Sequence, residues 1–149
     1  MSRAFSITEL VIVIAILGIM AAIVVPQFRG EVTQAKEATA KDHLRSLRGA
    51  IELYASRHSG IGPGYTGGVP SGELDAACFA EQTVAGGECL RRIPRNPFND
   101  LDTVLMIGNS ESFPESATGQ YGWIYQPALR LIHMDWPGTD ADGVRYIDY

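Results

Sequence analysis

The stretch FSITELVIVIAILGIMAAIVV, residues 5–25, decides the reading of this chain, because Glu9 is its only charged residue. From Leu10 to Val25 every side chain is apolar or absent, and with Phe5 to Thr8 the run reaches the ~20 residues that a helix needs to cross a hydrocarbon core. The reading is a membrane segment, and Glu9 is its anomaly, since a carboxylate at membrane depth is expensive and such groups are usually paired and functional. Arg3 lies six residues back, beyond the spacing at which helical side chains meet, so a neighbouring molecule is the natural place for the partner of Glu9.

Downstream of Pro26 the composition changes while the helical pattern continues. Residues 27–58 contain no Pro, and Ala40, Leu44, Leu47, Ile51, Tyr54 and His58 recur at alternating steps of four and three, with Phe28, Val32 and Ala35 extending the stripe backward. Lys36, Lys41, Asp42, Arg45, Arg48 and Glu52 mostly occupy the other sides, as a solvated face would require. The expectation is one helix from Ser6 to about His58, bent or kinked at Pro26 and about 80 Å long at 1.5 Å per residue. Its second half must then stand outside the membrane, with an apolar stripe that another part of the chain has to cover.

The stretch 59–72 is dense in Gly and Pro and ends the helix, a short helix is expected within 73–83, and the last third is β-prone. Residues 103–107, 122–125 and 129–136 are short runs bounded by Gly, Pro, Asn and Ser, with 126–128 a tight hairpin connection. Alternation places Leu129, Leu131, His133 and Asp135 on one face of the last strand and Arg130, Ile132, Met134 and Trp136 on the other. Trp123 and Trp136 read as packing residues rather than ligand platforms. The expected architecture is α+β: a long N-terminal helix, one half transmembrane and one half amphipathic, packed against a small C-terminal antiparallel β-sheet.

Charge is unevenly placed within the net −5. Up to Gly60 there are seven Lys and Arg against five acids, and beyond it five against twelve. An acidic distal part speaks against a nucleic-acid surface and against docking on anionic lipid. The histidines at 43, 58 and 133 stand singly, with no phosphate loop, nucleophile motif or paired metal-ligand spacing, so no enzyme is expected.

Residues Ala4-Phe5-Ser6-Ile7-Thr8-Glu9 and the apolar run after them resemble the N-terminus of type IV pilins and type II secretion pseudopilins, whose basic leader is cut before a Phe that is then N-methylated. Gly18 and Pro26 fall where members of that family carry a Gly and a Pro. Ala4 departs from the usual Gly before the cut and Thr8 from the usual aliphatic residue before the glutamate. The resemblance implies a leader 1–4, a transmembrane and assembly segment 5–26, and a periplasmic globular domain 27–149. It also implies processing by a prepilin peptidase at Ala4–Phe5, an inner-membrane assembly platform as partner, and a homo- or hetero-polymer in which Glu9 meets the Phe5 amine of a neighbour. Gly18, with Ala22 four residues on, makes a small-residue face suited to close packing of copies, or is a glycine simply tolerated in lipid. The alternative function is a single-pass membrane-anchored binding protein that does not polymerise.

In an exported domain the two cysteines, Cys78 and Cys89, read as a disulfide, which in the chain-entropy model stabilises by ~3 kcal/mol. Some major pseudopilins hold calcium in an acidic C-terminal loop. Asp135, Asp140 and Asp142 are similar in composition, which makes calcium the one candidate cofactor, against a plain solvated acidic turn.

Overall fold

A computed structural model describes residues 6–84 and 89–149, the side chains of 24–29 excepted. The chain forms two compact units, the first ending at Lys36 and the second comprising Glu37–Tyr149. Helix α1, Ile7–Arg57, contributes to both, and its bounds agree with the expected Ser6 to His58 to within a residue at each end. It ends where residues of positive φ follow, Ser59 at 55° and Gly60 at 83°, and the Gly60 N–H reaches back to the Ala55 carbonyl at 2.8 Å. A glycine there adopts the left-handed conformation without a Cβ penalty and adds a second donor to a last-turn carbonyl that the His58 N–H also reaches, at 3.1 Å.

In the second unit α1 presents Ala40, Leu44, Leu47, Ile51 and Tyr54, all buried, so the expected stripe exists. Its cover does not extend backward, because Val32 is 54% exposed and Ala35 is exposed, and the side chain of Phe28 lies outside those described. At the other end His58 lies past the helix, stacked on Tyr54 at 3.9 Å with its Nδ1 2.8 Å from the Tyr54 carbonyl. Helix α2, Ala76–Val84, overlaps the expected 73–83 region and runs one residue beyond it. Its N-cap is Asp75, whose carboxylate accepts the Ala77 N–H at 2.9 Å, and its buried side chains are Phe79 and Thr83.

Three strands follow: β1 at Val104–Met106, β2 at Trp123–Gln126 and β3 at Leu131–Met134, in the order β1-β2-β3. The pair β2–β3 is antiparallel, with Trp123 opposite Met134 and Gln126 opposite Leu131. Strand β1 runs parallel to β2, Val104 against Trp123, so the sheet is mixed and the expectation of a purely antiparallel one is corrected. The reason is the long connection 107–122, which returns the chain to the starting edge before β2 begins, as a parallel pair requires. The hairpin connection also shifts: Gln126 belongs to β2, and the turn is 127–130, with Arg130 at a φ of 53°.

Each sheet face has its own cover. Val104, Trp123, Tyr125, Ile132 and Met134 join the α1 stripe and Phe79 in one core. On the other face Ile124 and Ile107 meet Ile147, with Phe113 and Ala117 of the long connection over them. All four β2 side chains are buried for that reason. The alternation expected for β3 holds: Ile132 and Met134 are buried while Leu131 is exposed. Trp123 is fully buried and donates from Nε1 to the Pro94 carbonyl at 2.8 Å, and Trp136 stacks on Phe98. At the start of β2 a Cβ on Gly122 would stand 2.2 Å from the Leu101 carbonyl oxygen, a close approach only glycine permits.

Candidate assembly segment

Ser6 and Glu9 together build the first turn of α1. The Glu9 carboxylate accepts the Ser6 backbone N–H at 3.2 Å, and the Ser6 hydroxyl accepts the Thr8 N–H at 3.3 Å. This is a capping box, a Ser followed three residues later by a Glu, each satisfying a backbone donor that the helix itself leaves unbonded. Glu9 therefore has a partner within its own segment, contrary to the sequence reading. A negative charge in the first turn also faces the positive end of the helix dipole, worth about 0.5 kcal/mol at an exposed site.

Beyond that cap, every described side chain from Ser6 to Ile23 is exposed, with Ile7 at 82% and Leu10, Val11, Ile14, Leu17, Ile19 and Ile23 all more than half so. A contiguous apolar surface of this kind marks an interaction or membrane site. Gly18 lies on it, and a Cβ there would touch nothing within 4 Å, so no contact within the chain explains the glycine. Among the described residues no helix is long and apolar enough to cross a membrane, so the single-pass expectation does not have the structure's support. The expected segment 5–26 begins and ends outside the described side chains. Ala4 and Phe5, the expected processing pair, lie outside the described residues, and Pro26 falls within α1 with its side chain undescribed.

The second unit disperses the remaining candidates. Cys78 and Cys89 are both free and half-buried, so the expected disulfide is not formed in this structure. Burial first, and then the carboxylates of Asp75 and Glu81, push the Cys78 thiol above its ordinary range, which disfavours the thiolate. Asp135 is buried and turned toward Thr118 and Tyr121. It accepts the Thr118 N–H at 2.5 Å, the Thr118 hydroxyl at 2.7 Å and the Tyr121 N–H at 3.0 Å. Burial alone would raise its carboxyl, but these donors and the Gly119 N–H outweigh it and hold it below the usual carboxylate range.

Asp140 is committed elsewhere. It accepts the Tyr149 hydroxyl at 2.7 Å and the N–H groups of Asp142 and Val144, and the Lys41 ammonium stands 4.0 Å away. The Tyr149 hydroxyl is the main cause of its lowered carboxyl. Calcium needs six to eight oxygens, and these are already occupied by donors, with a cation beside one of them. Among the described residues no three His, Cys, Asp or Glu side chains are arranged to hold a metal. With the oxygens of Asp135 and Asp140 held by these donors, the three aspartates as they stand do not form a calcium cradle.

Each histidine ring faces a main-chain carbonyl: His43 that of Arg95 at 3.0 Å, His58 that of Tyr54, and His133 that of Ile147. Sequence reasoning missed the docking of the C-terminal segment on α1, where Tyr146 donates to Glu37 at 2.8 Å and Arg48 donates to the Tyr149 carbonyl. No local pattern signals those long-range pairs. The Ser6–Glu9 cap was missed as well, although the capping-box spacing Ser-Ile-Thr-Glu is a local signal for it.

No family model matches the chain, and no solved structure does. It is 33% identical over 111 residues to the type II secretion system core protein G of Klebsiella pneumoniae, an alignment spanning 71% of this chain and 76% of that one. Its likeness to the protein of the same name from Pseudomonas aeruginosa is 40% over 50 residues, about a third of each chain. With a long N-terminal helix, its apolar first part capped by a glutamate, and a small mixed sheet laid on its second part, this chain belongs to the pseudopilin family of type II secretion system core protein G.

Proposed function

We propose that the chain is a structural subunit of a type II secretion pseudopilus, processed before Phe5 by a prepilin peptidase and polymerised through the first part of α1. The observation that carries this is the unbroken apolar surface of residues 10–23 behind a single capped carboxylate. Such a surface needs lipid or other apolar helices around it. In this reading it rests first in the inner membrane, delivered by the assembly platform, with the second unit in the periplasm. It then exchanges lipid for copies of itself or of other pseudopilins.

Glu9 has two successive duties in this mechanism. Before assembly its carboxylate is satisfied by the Ser6 N–H. In the filament it turns to the Phe5 amine of a neighbour, and removing either charge leaves the other uncompensated, at a cost of about 3 kcal/mol or more. Gly18 and Pro26 shape the same packing surface.

Glu9→Gln separates the two duties, because the amide oxygen still caps the helix while the charge is gone. Cleavage and membrane retention of the variant should match the parent, with filament yield in sheared-cell fractions down at least tenfold. Undiminished yield would sink the mechanism. Mass spectrometry of the native chain should find N-methyl-Phe5 at the amino end, whereas an intact Met1 would favour a membrane-anchored binding protein that does not polymerise.

A further inference from the structure

A groove of about 390 Å³ runs along α1 where Tyr149 lies against it. Lys41, Arg45 and Arg48, spaced four and three residues apart and so on one face of the helix, line it together with Leu44 and Tyr149. The acids around it are occupied or exposed. Asp140 stands 4.0 Å from Lys41 and already holds the Tyr149 hydroxyl, Asp42 stands 3.4 Å from Arg45 in a pair open to solvent on both sides, and Glu52, one turn past Arg48, is held by Arg130 at 3.0 Å. Arg48 has no carboxylate partner among the described residues. Its guanidinium donates to the Ile132 carbonyl at 3.2 Å and to the Tyr149 carbonyl, and burial holds it below its ordinary range. The groove carries more cation than anion, and a partly desolvated guanidinium without a counter-charge is a cost that an incoming carboxylate relieves.

Unopposed acid lies across the sheet, where the chain enters α2. Glu73 and Asp75 are exposed, and neither is ion-paired among the described residues. Glu81, a turn further on, shares the rim of the neighbouring cleft with Arg92 and Asp102. The groove and this acidic corner occupy opposite edges of the sheet, since Arg48 meets Ile132 of β3 while α2 packs on β1 and β2 stands between them. They also lie at different levels of α1. Burial first, and then the Cys78 thiol of α2, raise the Tyr54 phenol, which sets α2 beside a residue nine positions past Arg45, or ~13 Å along the helix.

We propose that the groove of one copy, lined by Lys41, Arg45 and Arg48, receives the Glu73–Asp75 corner of a second copy; this rests on the reading that the chain polymerises. A second copy is the occupant because it brings two acids that its own chain leaves unopposed, and because a polymer holds copies side by side. The two surfaces differ, so each copy accepts one neighbour and inserts into another. Their offset along α1 makes the series climb instead of closing, the kind of contact from which helical filaments are built. Exposed ion pairs are individually weak, so this contact sets register while the apolar first part of α1 supplies cohesion.

The test uses filaments assembled by the full chain in cells that carry the processing and export machinery. Lys36 and Lys41 are the chain's only lysines, and Arg45→Lys adds a third amine within the groove. A carbodiimide, which joins an amine to a carboxylate in contact with it, should turn filaments of this variant into a ladder of covalent multimers. Mass spectrometry of the ladder should find residues 41–45 joined to residues 73–75, whereas a link from Lys41 to Asp140 within one copy leaves monomer. Filaments that give no ladder, or a ladder joined through other residues or to another protein, overturn the contact and leave the proposed function standing. Arg45→Glu changes a side chain that is 83% exposed and places like charges face to face. It should lower filament yield about tenfold or more, with cleavage and thermal midpoint unchanged. Normal yield from that variant overturns the contact. Absence of filaments from the unaltered chain overturns both the contact and the proposed function.

Discussion

Asp135 is a carboxylate that burial should neutralise, yet four donors keep it charged, and this sets how the protein responds to acid. Two residues before it, the His133 ring is lowered by burial, against the opposing pull of the Ile147 carbonyl, and Arg48 lowers it further. Its Nε2 is buried with no partner among the described residues, so a proton added there would have no acceptor. Both groups have depressed values in the folded state, so each contributes stability at higher pH that is lost as pH falls, in separate windows. The His133 loss begins below about pH 6.5 and the Asp135 loss below about pH 3.9, the values expected of the unfolded chain. A thermal midpoint measured against pH should therefore fall in two limbs. His133→Phe should abolish the upper limb and keep the lower. Asp135→Asn should flatten the lower limb and cost about 2 kcal/mol at neutral pH, since a charged hydrogen-bonding hub is lost from the core.

Helix α1 is one element with two environments, and the change between them is visible along its apolar stripe. Leu47 is fully buried against the sheet, and Val32, on the same stripe, is half exposed. Leu47→Ala should cost about 3 kcal/mol by denaturant unfolding, from lost transfer energy plus the cavity left behind. Val32→Ala should cost under about 0.5 kcal/mol, as an exposed substitution does. Equal costs at the two positions would mean that the stripe is buried over its whole length. The periodicity of apolar residues made the helix legible from sequence, but periodicity is the same where the stripe is covered and where it is bare. Burial begins at Ala40 because it depends on where the sheet, Phe79 and Tyr146 come to lie, and those residues are distant in sequence.

At the scale of the whole chain the two units differ in what they need. The second encloses its own core, assembled from α1 beyond Glu37, α2 and both faces of the sheet. A fragment Glu37–Tyr149 should accordingly remain soluble and unfold in one cooperative transition, followed by far-UV circular dichroism against urea. Loss of that transition would show that residues before Glu37 are needed for the core. The first unit has no core of its own among the described residues, and its exposed apolar residues can be satisfied only by lipid or by other chains. Substitutions in the core of the second unit should act on stability, whereas in the proposed pseudopilus those at Glu9 should act on assembly.

The long helix, its end at the glycine-rich stretch, the faces of β3 and the α+β class were all determined by the sequence itself, because each is written in periodicity or in backbone-breaking residues within a short window. Ser6 and Glu9 were equally local, a cap three residues wide. Tertiary structure alone decided that β1 runs parallel to β2, since strand direction depends on the path of the connection 107–122. It also decided the fates of the acidic residues and cysteines. Asp135 is spent on Thr118 and Tyr121, and Asp140 on Tyr149, while Cys78 and Cys89 are not bridged in this structure. Side chains that share a composition suited to a metal become a site only when the fold brings their free lone pairs together, and here it gave those of Asp135 and Asp140 other partners.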